Sequence, residues 1–174
     1  MGRRGAVLFL SALAMLFGLT GVAPVEAAGG GTPCAFDADV MLAPGFSDTR
    51  GAGSFSTSGQ TGMIKCRGTV NGKQITGTGS FGTDGHYGAN GGSTCGSGGS
   101  GDGTQYFTLP TSGGPERVDN TFVMTYGPYG RGGPISGEFH GDRFSGTYDM
   151  TPYDGDCATT PITKVHLTGS GTLT

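Results

Sequence analysis

The sequence has no tryptophan, and only 13% of its 174 residues are charged. It has no Cys-x-x-Cys and no paired histidines, and nowhere after residue 27 do apolar side chains recur at three-and-four spacing over the length of a helix. Each absence excludes something. Without tryptophan, sugar-stacking or biotin-type sites lose the large aromatic platform they lean on. Without a basic stripe, phosphates are not neutralised, so nucleic acid and anionic lipid are not expected partners. Without metal-ligand spacing a zinc site has little support, and no cofactor is expected. Without helical periodicity, no helix is expected beyond the N-terminal segment.

The one long apolar run lies at the start. Arg3 and Arg4 precede an uncharged stretch from Ala6 to Leu19, and Val25-Glu26-Ala27 follows. That is the order of a charged region, an apolar region and a small-x-small cleavage site, and it predicts a signal peptide over residues 1–27. A membrane anchor is the poorer reading, because Ser11, Thr20 and Pro24 interrupt the stretch from Ala6 to Val25 and spanning needs ~20 apolar residues. No cysteine follows the run to accept a lipid. Secretion, with no membrane attachment after processing, is therefore expected. Residues 28–33 read as a short flexible N-terminus and 34–174 as a single domain. Without Arg3, Arg4 and Glu26, eight basic side chains stand against twelve acidic ones, a mildly acidic balance.

Cys34, Cys66, Cys95 and Cys157 all lie after the proposed cleavage site. An even count in an exported chain reads as disulfides. Spacing alone leaves three connectivities open.

Glycine is abundant, 38 residues or about three times the usual ~7% share. That would suggest disorder, but the apolar residues alternate with period two. Phe36, Ala38, Val40 and Leu42 are in phase; so are Ile64, Cys66 and Val70, then Ile75, Gly77, Gly79 and Phe81. Val118, Phe122, Met124 and Tyr126 continue the pattern, as do Phe139, Phe144, Tyr148 and the final Val165 to Leu173. Asn71-Gly72 is a strong hairpin signal, since both residues accept the positive φ of a type I′ turn. His140-Gly141-Asp142 reads as a second hairpin and Ser58-Gly59-Gln60 as a third. The expectation is an all-β fold, an eight- to nine-stranded antiparallel meander closing into a barrel to hide its edges, with a β-sandwich as the alternative.

Gly82–Gly101 reads as one long irregular loop. If every strand reverses direction, Cys34, this loop with Cys95, and the Thr151–Pro161 loop with Cys157 share one end. That placement favours Cys34 with Cys157 and Cys66 with Cys95.

The export signal, Gly-rich alternating strands, four cysteines and the Asp142-Arg143-Phe144-Ser145-Gly146-Thr147 hairpin together resemble small secreted Gly-rich β proteins of actinobacteria. The resemblance covers nearly all of the chain after residue 27 and, resting on composition, implies no active site.

Chemistry-bearing residues are few. His86, His140 and His166 have surface readings, and no Gly-x-Ser-x-Gly elbow accompanies them. No catalytic residue is assigned. Asp84, Asp102, Asp154 and Asp156 fall in loops placed at one end and offer hard oxygen ligands for Ca²⁺, but Asp-Gly pairs are ordinary turn chemistry. Tyr126, Tyr129 and Tyr153, with His86, are candidate contacts for a protein or small ligand. An eight-stranded barrel has room for packed side chains or one small ligand. The reading that follows is a secreted, non-enzymatic binding or interaction module. The alternatives are a small isomerase- or cyclase-like barrel enzyme and a structural cell-envelope protein.

Overall fold

A computed structural model describes residues 31–58, 62–89, 91–129 and 134–174. The expected signal peptide lies outside these residues. The strands are β1 (Thr32–Phe46), β2 (Gly53–Ser56), β3 (Gly62–Cys66), β4 (Thr69–Val70), β5 (Lys73–Gln74), β6 (Thr78–Tyr87), β7 (Gly99–Thr111), β8 (Gly114–Tyr126), β9 (Ile135–Gly141), β10 (Phe144–Pro152) and β11 (Ile162–Leu173). Nine of them form one antiparallel sheet in the order β11-β10-β9-β8-β7-β6-β2-β1-β3, and β11 also pairs with β1. The sheet therefore closes, and the fold is a barrel rather than a sandwich.

β2 and β3 are two pieces of a single stave. β1 pairs with β2 through Met41 to Ala43 and with β3 through Cys34 to Asp37, and β6 flanks both pieces on the other side. The barrel thus has eight staves in sequence order, an up-and-down meander. Closure leaves no edge strand within the barrel wall. β4 and β5 form a separate two-stranded ribbon, turned by Asn71 (φ 50°) and Gly72 (φ 74°), the expected type I′ geometry. The β9–β10 turn falls at Asp142-Arg143, where a hairpin was expected.

Three expectations are corrected here. The Ser58-Gly59-Gln60 hairpin does not form: Gly59 and Gln60 lie outside the described residues, but β2 and β3 run in the same direction, so the chain does not double back between them. The Gly82–Gly101 loop is shorter than expected: β6 runs to Tyr87 and β7 begins at Gly99, so that Gly85 pairs with Gly103 and Tyr87 with Gly101. Thr32 and Pro33 are not a flexible lead-in but pair with Leu173 and Thr172.

One missing reversal also overturns the disulfide pairing. With β2 and β3 in line, Cys34 and Cys66 face each other across β1 and β3 at one end of the barrel, and Cys95 and Cys157 sit on loops at the other. The bridges are Cys34–Cys66 and Cys95–Cys157. We call the first the turn end, since the chain there turns tightly between β7 and β8 and between β9 and β10. The second is the loop end.

The alternating apolar residues point inward as expected, and Phe36, Phe55, Phe81, Phe122, Phe139, Phe144 and Tyr148 are all buried. Toward the turn end their rings touch: Phe36 stacks on Phe81 with centroids 4.7 Å apart, and Phe107 meets Phe144 edge-on at 5.4 Å. Inward glycines make room for these rings. A Cβ on Gly169 would lie 2.3 Å from Phe36 Cζ, and one on Gly103 2.9 Å from Phe55 Cζ. The cost of glycine within a strand is offset here by aromatic surface packed over the bare backbone.

Candidate ligand-binding cavity

The interior differs between the two ends. Toward the loop end the inward positions leave a cavity of about 60 Å³. Phe36 and Phe139 lie at its inner limit, and Leu42, Phe55, Phe122 and Met124 form much of its wall. Phe46, Tyr87 and Tyr126, at or near the loop-end tips of β1, β6 and β8, roof it. The Phe46 ring meets both tyrosines edge-on, with centroids 5.8 and 5.6 Å away.

The roof is tied down from outside. Tyr87 Oη donates to the Pro44 carbonyl, and Tyr126 Oη donates to Ser93 Oγ at 2.5 Å. The loop holding Cys95 is joined to the β10–β11 loop by the Cys95–Cys157 bridge. Backbone hydrogen bonds add to it: Asp48 N donates to Cys157 O at 3.1 Å, Cys95 N to Ser47 O at 3.1 Å and Tyr129 N to Cys95 O at 2.6 Å. Four segments that the strands alone leave separate thus form one cover.

Two polar side chains, Thr83 and Gln105, interrupt the apolar wall. Gln105 is opposite Thr83 on β6 and opposite Asn120 on β8. Asn120 is fully buried and fully used: its Oδ1 accepts from the backbone N–H of Arg143 (2.7 Å) and Phe144 (2.8 Å), while its Nδ2 donates to the Phe144 carbonyl and to Gln105 Oε1, both at 3.1 Å. This side chain pins the β9–β10 turn into the barrel.

No carboxylate, histidine, lysine or arginine is among the residues that line the cavity. Its titratable groups are Tyr87, Tyr126 and Tyr148, all pushed above the ordinary phenol value, chiefly by burial. Near neutral pH the wall is therefore uncharged.

Of the residues singled out from the sequence, Tyr126 lines this cavity and Tyr153 meets His166 on the outer wall, and the rest lie apart from both. Tyr126 is not a surface contact: it is 7% exposed and belongs to the roof. Tyr129 is half-buried against the core. His86 is not on a loop but faces outward from β6, opposite Asp102 on β7. Tyr153 is exposed on the outer wall. There its Oη donates to Asp39 Oδ1 at 2.9 Å, Lys164 Nζ lies 4.7 Å from its ring centroid, and the His166 ring is 6.0 Å away. Hydrogen bonds from Lys164, then His166, then Tyr153 lower the Asp39 carboxyl to about 2. His140 is exposed beside Glu138.

The four aspartates do not form a cation site. Asp84 and Asp102 face outward from β6 and β7, whereas Asp154 and Asp156 belong to the β10–β11 loop across the barrel. Asp154 accepts from the backbone N–H of Thr163 (2.9 Å) and Lys164 (3.0 Å), and Asp156 from those of Thr159 (2.8 Å) and Thr160 (3.0 Å). Turn chemistry uses their oxygens. Among the described residues one trio has metal-like proximity, Asp48 with Cys95 and Cys157, but its sulfurs are joined to each other in the disulfide.

Gln105 and Asn120 were missed in the sequence, although a signal was present. Gln105 is in phase with Phe107 and Leu109, and Asn120 with Val118 and Phe122, so each is a polar residue at an inward-facing position. Compared with known proteins, the chain matches no family model, no curated protein and no solved structure.

Proposed function

We propose that this protein is an exported, non-enzymatic binding module that takes a small apolar ligand, or the apolar end of a larger one, into the loop-end half of its barrel. The cavity carries the reading. Eight-stranded barrels are wide enough to be filled by side chains or to hold one small ligand, and this one is filled toward one end and hollow toward the other. Apolar cavities stay dry and accept apolar guests, and one of ~150 Å³ admits benzene. At about 60 Å³ the present cavity suits a guest smaller than that.

Binding is better supported than catalysis by the character of the wall. General acid–base chemistry uses a positioned group whose pKa lies near the working pH, and the cavity-lining residues offer only phenols shifted upward. The N-terminal charged, apolar and small-x-small pattern supports export, and two disulfides suit an oxidising, extracytoplasmic compartment. A protein-contact role through Tyr129 and Tyr153 has less support, because one is half-buried under the cover and the other lies on the outer wall.

Titration with compounds of three or four heavy atoms, such as propane and acetone, followed by amide resonances, tests the proposal. The resonances of Leu42, Phe55 and Met124 should move, and ligand at ten times its Kd should stabilise the fold by about 1.4 kcal/mol. Saturating solutions that move none of these resonances and leave the melting temperature unchanged would remove the reading.

A further inference from the structure

We infer that Gln105 makes this cavity selective for a neutral ligand that carries one hydrogen-bond acceptor oxygen, a ketone or aldehyde carbonyl in the simplest case. The inference rests on the cavity being a binding site and names the chemistry that it selects.

The orientation of the Gln105 carboxamide follows from the backbone. Two main-chain N–H groups donate to one atom of the Asn120 amide, so that atom is the oxygen and the other is the NH2 group. That NH2 group donates to Gln105, so the Gln105 atom receiving it is Oε1. The Gln105 Nε2 is consequently the end turned away from Asn120, and it has no hydrogen-bond partner among the described residues.

Gln105 as a whole is 3% exposed. No side-chain nitrogen or oxygen among the described residues is both sealed off and unpaired. Nε2 therefore opens on the cavity whose wall Gln105 forms. A buried amide donor without an acceptor is costly, and a ligand that supplies the acceptor recovers that cost.

The other hydroxyl donors at the cavity are already committed. Thr83 Oγ1 donates to the Thr104 carbonyl, Tyr87 to Pro44 O, Tyr126 to Ser93 Oγ and Tyr148 to Thr125 O. A hydrocarbon leaves the Gln105 donor unmet. A carboxylate meets it but brings a charge into an apolar wall that holds no cation, which costs far more than one hydrogen bond returns. A neutral carbonyl meets the donor without that charge.

Three compounds of equal heavy-atom count separate these cases: acetone, 2-methylpropane and acetate. Titrated into the oxidised protein, acetone should shift the Gln105 side-chain NH2 resonances, 2-methylpropane should bind without shifting them, and acetate should not bind. In Gln105→Leu the ratio of ketone to alkane affinity should fall about three- to tenfold, the worth of one hydrogen bond. Alkane binding with an unchanged ratio in that variant would overturn the inference while leaving the cavity as a binding site, and so would acetate binding as well as the ketone. If neither neutral compound binds the unaltered protein, the binding site and its selectivity both fall. Should Gln105→Leu fail to fold, the unaltered protein still decides: Gln105 NH2 resonances that stay still at ketone saturation overturn the inference.

Discussion

The two halves of the barrel are made from the same eight staves and comparable residues, yet they are held together in different ways. Toward the turn end, Phe36, Phe81, Phe107 and Phe144 bring their rings into contact, and the Cys34–Cys66 bridge joins two strands already paired in the ladder. Toward the loop end, aromatic rings line a space instead of filling it, and the Cys95–Cys157 bridge joins loops that no ladder pairs. Order in the first half comes from packing. In the second, a covalent and hydrogen-bonded cover holds a roof over a cavity that packing alone does not close.

The sharpest test of this contrast is truncation on each side. Phe107→Ala should cost about 3–5 kcal/mol by denaturant unfolding, because a 1% exposed ring in full contact leaves a new void. Met124→Ala borders space already empty and should cost about 2 kcal/mol, the low end for such a change. Equal losses at the two positions would mean that the halves are equally packed.

The bridges offer a second comparison. Their loops span 32 and 62 residues, for which loop-closure entropy gives about 4 kcal/mol each, and measured losses more often fall at 2–4 kcal/mol. The distinction is local. Cys95→Ala with Cys157→Ala should speed amide hydrogen exchange at residues 91–98 and 153–161, whereas Cys34→Ala with Cys66→Ala should leave those loops protected. Equal exchange in both pairs would show that the cover holds without its bridge.

The smallest effect belongs to the outer wall. The Asp39 carboxyl, held near 2 by Lys164, His166 and Tyr153, lies below its ordinary 3.8. Its contribution to stability is present above the unfolded value and is lost as pH falls from about 4 through 2. In an acid titration read by melting, Asp39→Asn should flatten the decline in that window and leave the cavity resonances unmoved. An unchanged acid limb would show that the cluster adds nothing to stability.

The alternation of large apolar residues was legible along the chain because inward and outward positions differ in chemistry: Phe36, Phe81, Phe139 and Tyr148 all point where period two places them. Glycine was the residue that misled. Gly85 and Gly101 read as loop because they lack a side chain, and in the barrel that lack is filled by the Phe55 ring over Gly85 and the Met124 methyl group over Gly101, each reaching across from a neighbouring stave. The site was legible only in part. Gln105 and Asn120 sit at inward positions of recognisable strands, but whether such an amide is satisfied depends on partners 15 and 24 residues away.

Local chemistry therefore determined the strand class, the meander and the existence of two disulfides, since alternation, Asn-Gly turns and cysteine count are properties of neighbouring residues or of composition. Which cysteines pair, where the interior is hollow and which amide faces the hollow were decided only in three dimensions. The reason is geometric. A single reversal that does not occur between β2 and β3 exchanges the ends to which later loops belong, and a cavity is a sum over staves that no one segment can record.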